Sequence, residues 1–269
     1  MAALRAAGQN FEVATRAPAQ LAAQGVPSVA LNWDDLDSYL PAMRGKDRLF
    51  LLTPNSERQV GYVLQAISAA RRAGIKHIVR VSLMGTDSDP GIILGRQHLA
   101  AEREIRASGI AWTMLRPSFF MDNFVNYYGV DPNKDSHVFL PNGDGKAGWV
   151  DSADVGEVAA RVLQDDSQVG KIIDLTGPEL LSTAEALAVM GPVFGHNYTY
   201  TAIPEDAARL AMEANGMPLW MVDGFLELNA LVRLGQAARL ATGVQAVLGR
   251  PPRTMREWAG RLKAASAAP

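Results

Sequence analysis

Arg48-Leu-Phe-Leu-Leu-Thr53, the stretch from Ser56 to Ala73 with Gly74 behind it, and His77-Ile-Val-Arg-Val-Ser82 form one continuous passage, and its pattern decides the fold. The first run is nearly all apolar, as in a strand covered on both faces. In the second, Val60, Val63, Leu64, Ile67 and Ala70 recur at helical spacing, and Gly74 falls just past the end. The third is again a buried-type strand. A strand, a helix of this length and a second strand make a βαβ unit with a parallel sheet. The right-handed crossover rule then points to the doubly wound class.

The alternation extends both ways. Toward the C-terminus, Arg96 to Ala107 reads as a helix closed by Ser108-Gly109, and Ala111 to Leu115 as a strand stopped by Arg116-Pro117. Toward the N-terminus, Phe11 to Thr15 and Val26 to Leu31 read as strands. Beyond Phe119 the pattern loosens. Phe119 to Tyr128 reads as a short helix, Asp131 to Ser136 as a loop and Pro141 to Gly145 as a turn. Ala153 to Asp165 reads as a helix capped by Ser152 or Asp151. Lys171 to Leu175 and Asn197 to Thr201 are strand-like, Thr183 to Phe194 is helical, and so is the tail from Pro204. No repeat or linker interrupts the chain. Residues 1–269 are therefore expected to form a single α/β domain. It would have a doubly wound, mostly parallel Rossmann-like core at about 1–118 and 148–176, and a smaller, largely helical substrate lobe at about 119–147 and 177–269.

Composition narrows the function. Of 269 residues 48% are apolar and 20% charged, enough for a sizeable core. The net charge is −2, with no basic footprint for nucleic acid. No cysteine is present, which removes disulfides, thiol nucleophiles and thiolate metal sites. The histidines lack metal-ligand spacing, so no metal is expected. No apolar run approaches the roughly 20 residues that span a bilayer. A cytoplasmic protein acting on a small molecule, with no membrane or nucleic-acid partner, is the expectation. The apolar C-terminal helices suit a homodimer.

Several segments together resemble the NmrA-like branch of the atypical short-chain dehydrogenases. They are Arg71-Arg-Ala-Gly-Ile-Lys-His-Ile-Val-Arg-Val-Ser-Leu-Met-Gly85, Arg96-Gln-His-Leu-Ala-Ala-Glu102, Ser108 to Asn123 with its Leu115-Arg-Pro117, Trp149 to Gly156, and Asp174-Leu-Thr-Gly-Pro178. The resemblance covers roughly residues 3 to 262. It implies a Rossmann scaffold for NADPH or NADH. It also implies one of two roles, reduction of quinones or activated double bonds, or nucleotide-sensing regulation.

One departure is plain. The family opens with a strand, a Gly-x-x-Gly-x-x-Gly loop and a helix, whereas here Ala2 to Gly8 matches only the last turns of that helix. The loop lets the backbone approach the diphosphate, and the helix N-terminus supplies free N–H groups. Two explanations stand: a shortened chain, or a natural loss that leaves a degenerate cofactor site. The second predicts no cofactor, or weak NADPH binding. It also leaves a gap in the sheet, which Phe11 to Thr15 would close by pairing with Leu49 to Thr53, or a partner chain would fill.

The resemblance places Arg16 where a basic residue meets the 2′-phosphate of NADP. It puts Thr53, Pro54 and Asn55 at a strand end that lines a cleft, Asn55 or Ser56 alternatively capping the next helix. It sets Pro117 in the turn over the nicotinamide. Ser82 stands near the serine of a Ser-Tyr-Lys group, and where Tyr-x-x-x-Lys belongs this chain has His98 and Glu102. Those two share a helical face, and an imidazole titrating near neutrality can serve as acid or base. Asp122 and Tyr127 are further candidates for catalysis. Phe119, Phe120, Asn123, Trp220 and Met221 are candidates for an apolar or aromatic substrate wall, or for core packing. With the phosphate loop missing, a cofactor-independent isomerisation, cyclisation or elimination is the preferred reading. An NAD(P)H-dependent reductase of quinones or enones, and a non-catalytic NAD(P)-sensing regulator, are the alternatives.

Overall fold

A computed structural model describes residues 1–88 and 91–266. In chain order these form α1 (Ala2–Ala6), β1 (Val13–Thr15), α2 (Pro18–Ala23), β2 (Ser28–Ala30), α3 (Tyr39–Met43), β3 (Arg48–Leu51), α4 (Gln59–Ala73) and β4 (His77–Val81). Then follow α5 (Ile93–Ala107), β5 (Ala111–Pro117), α6 (Asn123–Asn126), β6 (Ser136–Leu140), β7 (Lys146–Ala147), α7 (Ser152–Val162), β8 (Ile172–Leu175) and β9 (Leu181–Ser182). The chain ends with α8 (Thr183–Phe194), β10 (Tyr198–Ala202), α9 (Glu205–Ala214), α10 (Leu219–Arg233), α11 (Gly243–Leu248) and α12 (Met255–Ser266). The chain divides into two compact units. Residues 1–82, 96–115 and 156–173 make the first; 83–95, 116–155 and 174–269 make the second.

The first unit is the parallel α/β core that the alternation of strands and helices implies. Its main sheet runs β3-β4-β5-β8, with Leu51 opposite Arg80 and Arg80 opposite Met114. All five residues of β4 are buried. Leu51, Ile78 and Met114 pack with Val63, Ala66, Ile67 and Ala70 of α4 and with Ala101 and Ile105 of α5. The small alanines let these helices lie close to the sheet, and each fully buried large side chain contributes about 1.5–3 kcal/mol. Gly74, at φ +79°, ends α4 in the left-handed conformation that its position past the periodic residues demands. On the other face of β4, His77 is fixed at both ring nitrogens. Arg48 Nη1 lies 3.3 Å from Nδ1, and Thr113 Oγ1 lies 3.0 Å from Nε2.

Two local expectations need correction. The helix after β3 starts at Gln59, and neither Asn55 nor Ser56 caps it. Ser56 Oγ instead accepts the Arg58 N–H at 3.1 Å, which adds a turn before the helix. Nor does β1 pair with β3. β1 pairs with β2 in a separate two-stranded parallel sheet, and no ladder joins it to β3 among the described residues. Lys46 and Glu12 form an ion pair at 3.0 Å just ahead of the two strands, but the edges past it stay apart. Phe50 and Leu52 of this region are 39% and 58% exposed.

The second unit has its own core. Met121, Phe124, Trp149, Met190, Phe194 and Trp258 lie at its centre. Ser136–Leu140, which carried no clear sequence signal, is a strand paired in parallel with β10, Val138 and Leu140 inward, His137 and Phe139 outward. Its partner is some 60 residues away, so no local pattern announces it. The C-terminal tail is bound by buried carboxylates. Asp154 accepts from Arg250 Nη2 at 2.6 Å, from the Arg253 backbone at 2.7 Å and from Arg253 Nη1. Asp151 accepts twice from Arg261 Nη2, at 2.6 and 2.8 Å.

Candidate active site

In the first unit, chemistry-bearing residues gather at the C-terminal ends of β3 and β4. The pleat puts Thr53, Arg80 and Ser82 on one face of the sheet, the face covered by α5. Arg80 is fully buried, and its Nη1 reaches Thr53 Oγ1 at 3.4 Å. Ser82 gives its backbone N–H to Leu115 O at 2.7 Å, while its Oγ is buried without a partner. His98 is half-buried on α5, and its Nδ1 is also buried without a partner. Glu102, one turn further on, is fully buried and accepts from Arg106 Nη2 at 3.2 Å.

The electrostatics differ from the sequence-based expectation for His98. Burial first, and then the Arg80 charge, push His98 down to about 3, with Glu102 opposing. Burial likewise pulls Arg80 down to about 10, again against Glu102. His98 is therefore a neutral imidazole at physiological pH and does not titrate near neutrality, because its surroundings solvate a charge poorly. Sequence reasoning missed Arg80 altogether. A lone cation at an inward position of His77-Ile-Val-Arg-Val81 was the available signal, since a strand covered on both faces rarely carries one.

Arg16 stands one residue past β1, is exposed, and faces no carboxylate among the described residues. Pro54 and Asn55, past β3, are exposed as well.

In the second unit, Pro117 is buried at the end of β5, and its carbonyl accepts the Met84 N–H at 3.0 Å. The turn after it is pinned by a bridge between Phe120 and Val150. Phe119 and Phe120 are half-buried. Phe119 packs edge-on against Trp149 at 5.6 Å, and Phe124 lies 4.9 Å from the same ring. Asp122 accepts the Ser152 N–H at 3.3 Å, a bond at the start of α7. Asn123 opens α6. Tyr127 is 63% exposed and tilts against Phe225 at 5.9 Å. Burial raises the neighbouring Tyr128 hydroxyl to about 12, with Asn123 opposing. Trp220 and Met221 are half-buried in the first turn of α10.

Residues 3–236 match the NmrA-like family. The chain belongs to that family. It is 33% identical over 240 residues to an NAD(P)H azoreductase of Xenophilus azovorans, covering 89% of this chain and 84% of that protein. It is 28% identical to quinone oxidoreductase 2 of Escherichia coli, over 90% and 84% of the two chains. The fold matches the crystal structure of the NADPH-dependent quinone oxidoreductase QOR2 of Escherichia coli complexed with NADPH. That match has a TM-score of 0.79 and 24% identity, and it covers 93% of this chain and 89% of that one.

These relatives overturn the expectation of no cofactor or only weakly held NADPH, and point to NAD(P)H. A glycine loop is one part of a dinucleotide site. Dinucleotides also bind through groups past the C-terminal ends of the strands, and those are separate residues. The described residues fit that part of the cofactor: Arg16 offers an unpaired guanidinium past β1, and Pro54 and Asn55 are exposed past β3, with Thr53 buried beside them. Among the described residues no helix is long and apolar enough to cross a membrane.

Proposed function

We propose that this protein is an NAD(P)H-dependent reductase of conjugated, planar acceptors of the azo or quinone type. The observation that carries the reading is the 33% identity, over most of both chains, to an NAD(P)H azoreductase. This identity favours hydride transfer over the cofactor-independent non-redox step that the sequence alone suggests.

When bound, the cofactor supplies a hydride, and the protein's task is to hold and orient the reactants. Arg16 would take a 2′-phosphate as a permanently charged bidentate donor. Thr53, Pro54 and Asn55 would line the nucleotide in the first unit, and in the second Pro117 ends β5 at the turn toward Phe119. His98, held neutral, offers a hydrogen bond rather than a mobile proton, with Ser82 beside the same strand end. In the second unit Phe119, Phe120, Asn123, Tyr127, Trp220 and Met221 would present aromatic and apolar surface to a flat substrate. Asp122 serves the start of α7 and orients this turn.

The test follows consumption of NADPH and NADH by the purified chain in the presence of a naphthoquinone and of a sulfonated azo dye. Turnover with either acceptor supports the reading. A folded sample that neither binds nor oxidises either nucleotide refutes it. Arg16→Ala is expected to raise KM for NADPH about tenfold, equivalent to about 1.4 kcal/mol, and to leave KM for NADH unchanged.

A further inference from the structure

His77, the first residue of β4, is buried in the middle of an unbroken line of polar contacts. Arg48 Nη1, from the first residue of β3, lies 3.3 Å from its Nδ1, and Thr113 Oγ1 on β5 lies 3.0 Å from its Nε2. Thr113 Oγ1 donates in turn to the backbone O of Gln168 at 2.8 Å. At the other end Arg48 Nη2 pairs with Asp166 Oδ1 at 2.8 Å. Asp166 and Gln168 are the first and last residues of one short 3-10 helix, which leads toward β8. The line therefore begins and ends on the same turn. It closes the starting end of the strands, opposite the end that carries Thr53 and Ser82.

The two ends of the line fix the direction of every proton. A guanidinium can only donate, and a carbonyl can only accept. Thr113 gives its one hydroxyl proton to Gln168 O, so its oxygen accepts from His77, and the imidazole carries its proton on Nε2. Nδ1 is left bare, with its lone pair toward Arg48. Bonds aligned in this way strengthen one another. A second proton on the ring has only Nδ1 to occupy. There it removes the acceptor of Arg48 Nη1 and sets two cations side by side. Arg48 is 31% exposed and can turn to water, and its pair with the 74% exposed Asp166 is then an ordinary surface pair of little worth. The Nε2 side is unaffected, since Nε2 still donates to Thr113. The charged groups that act on the ring are Arg48 from β3, which opposes its charging, and Asp166 from the turn, which favours it. β5 contributes only the Thr113 hydroxyl, and Lys76, next to His77 in the chain, is paired with Asp47 at 2.7 Å.

We propose that His77 is an acid-released clasp: the neutral ring holds both ends of the turn Asp166–Gln168 to the sheet, and its protonation frees the Asp166 end while the Gln168 end stays bound. Burial and Arg48 hold the ring below its ordinary 6.5, so the clasp is closed at neutral pH and opens only on the acid side.

The test is amide hydrogen exchange of the full chain across the His77 titration, with the ring nitrogens followed by nitrogen–proton correlation spectra. The Val169 N–H bonds Asp166 O inside the turn, whereas the Gly170 N–H bonds Trp112 O on β5 and serves as the internal reference. At about pH 7.5 His77 is expected to show a protonated Nε2 and a bare Nδ1. As the ring charges, the protection of Val169 relative to Gly170 should fall about tenfold, the equivalent of one unit of differential proton affinity. His77→Gln keeps an acceptor and a donor but cannot charge, and should hold that ratio constant over the same range. Arg48→Met opens the Asp166 end at every pH, so the ratio should be low and constant. A proton on Nδ1 at pH 7.5 overturns the proposal. So does a ring that stays neutral until the whole chain unfolds, or a Val169 ratio that is equal above and below the His77 midpoint. Should His77→Gln not fold, Arg48→Met decides: loss of the pH dependence supports the clasp, and its persistence overturns it.

Discussion

Replacing Asp154 by alanine tests whether buried carboxylates hold the C-terminal tail. The side chain is 0% exposed and accepts from Arg250, from Arg253 and from the Arg253 backbone. Breaking a buried pair from one side costs about 3–5 kcal/mol. The lower end applies here, because the arginine side chains are 34% and 26% exposed and can turn toward water once the carboxylate is gone. The Arg253 amide has no such escape. About 3 kcal/mol is the expectation, which shifts Tm by roughly 6–10 °C for a chain of this size. Arg250→Met or Arg253→Met leaves Asp154 with another arginine and the amide, and should cost about 1.5 kcal/mol each. Urea unfolding measures all three, with an unchanged m-value showing that only stability has moved. If Asp154→Ala costs under about 1 kcal/mol, or no more than either arginine variant, the carboxylate is not what fixes the tail.

Gly177→Ala places a Cβ 2.0 Å from Trp149 O, which backbone must yield to; a loss of about 2–3 kcal/mol in the same assay is expected, and wild-type stability would refute the close approach. Ser182 and Glu185 form a capping box at the start of α8, so Ser182→Ala should cost about 1 kcal/mol in urea unfolding. His98 and His77 both lie below the ordinary 6.5 in the folded chain. The unfolded chain therefore takes up protons first as pH falls through about 6.5, and their contribution to stability is lost progressively below it, toward about 3 for His98. His98→Gln should flatten that acid-side decline relative to wild type when urea midpoints are compared at about pH 7.5 and 5.

The strands β1 to β5 and the helices α4 and α5 could be read directly, because apolar runs and 3.6-residue spacing are local properties of the chain, whereas the short helices α2 and α3 carried no such signal. Thr53 stood out as the end of a strand in a βαβ unit, whereas Ser82 and His98 were singled out only through the resemblance to the family. Family membership was legible too, in Ser108 to Asn123 and the segments around it. The cofactor was not legible in the sequence, because the contacts of a dinucleotide past the glycine loop are scattered over strand ends.

The tertiary structure alone decided the rest. Burial is set by what α5 lays over β4, so the sequence could not show that Arg80 is enclosed, that His98 is held neutral, or that Glu102 sits opposite a cation. The pairing of β6 with β10 and the seating of Arg250, Arg253 and Arg261 on Asp154 and Asp151 join residues some 60 to 110 positions apart. Local pattern marks the strands and helices of the βαβ run; a strand such as β6, and charge, protonation and register, depend on neighbours that only the folded chain brings together.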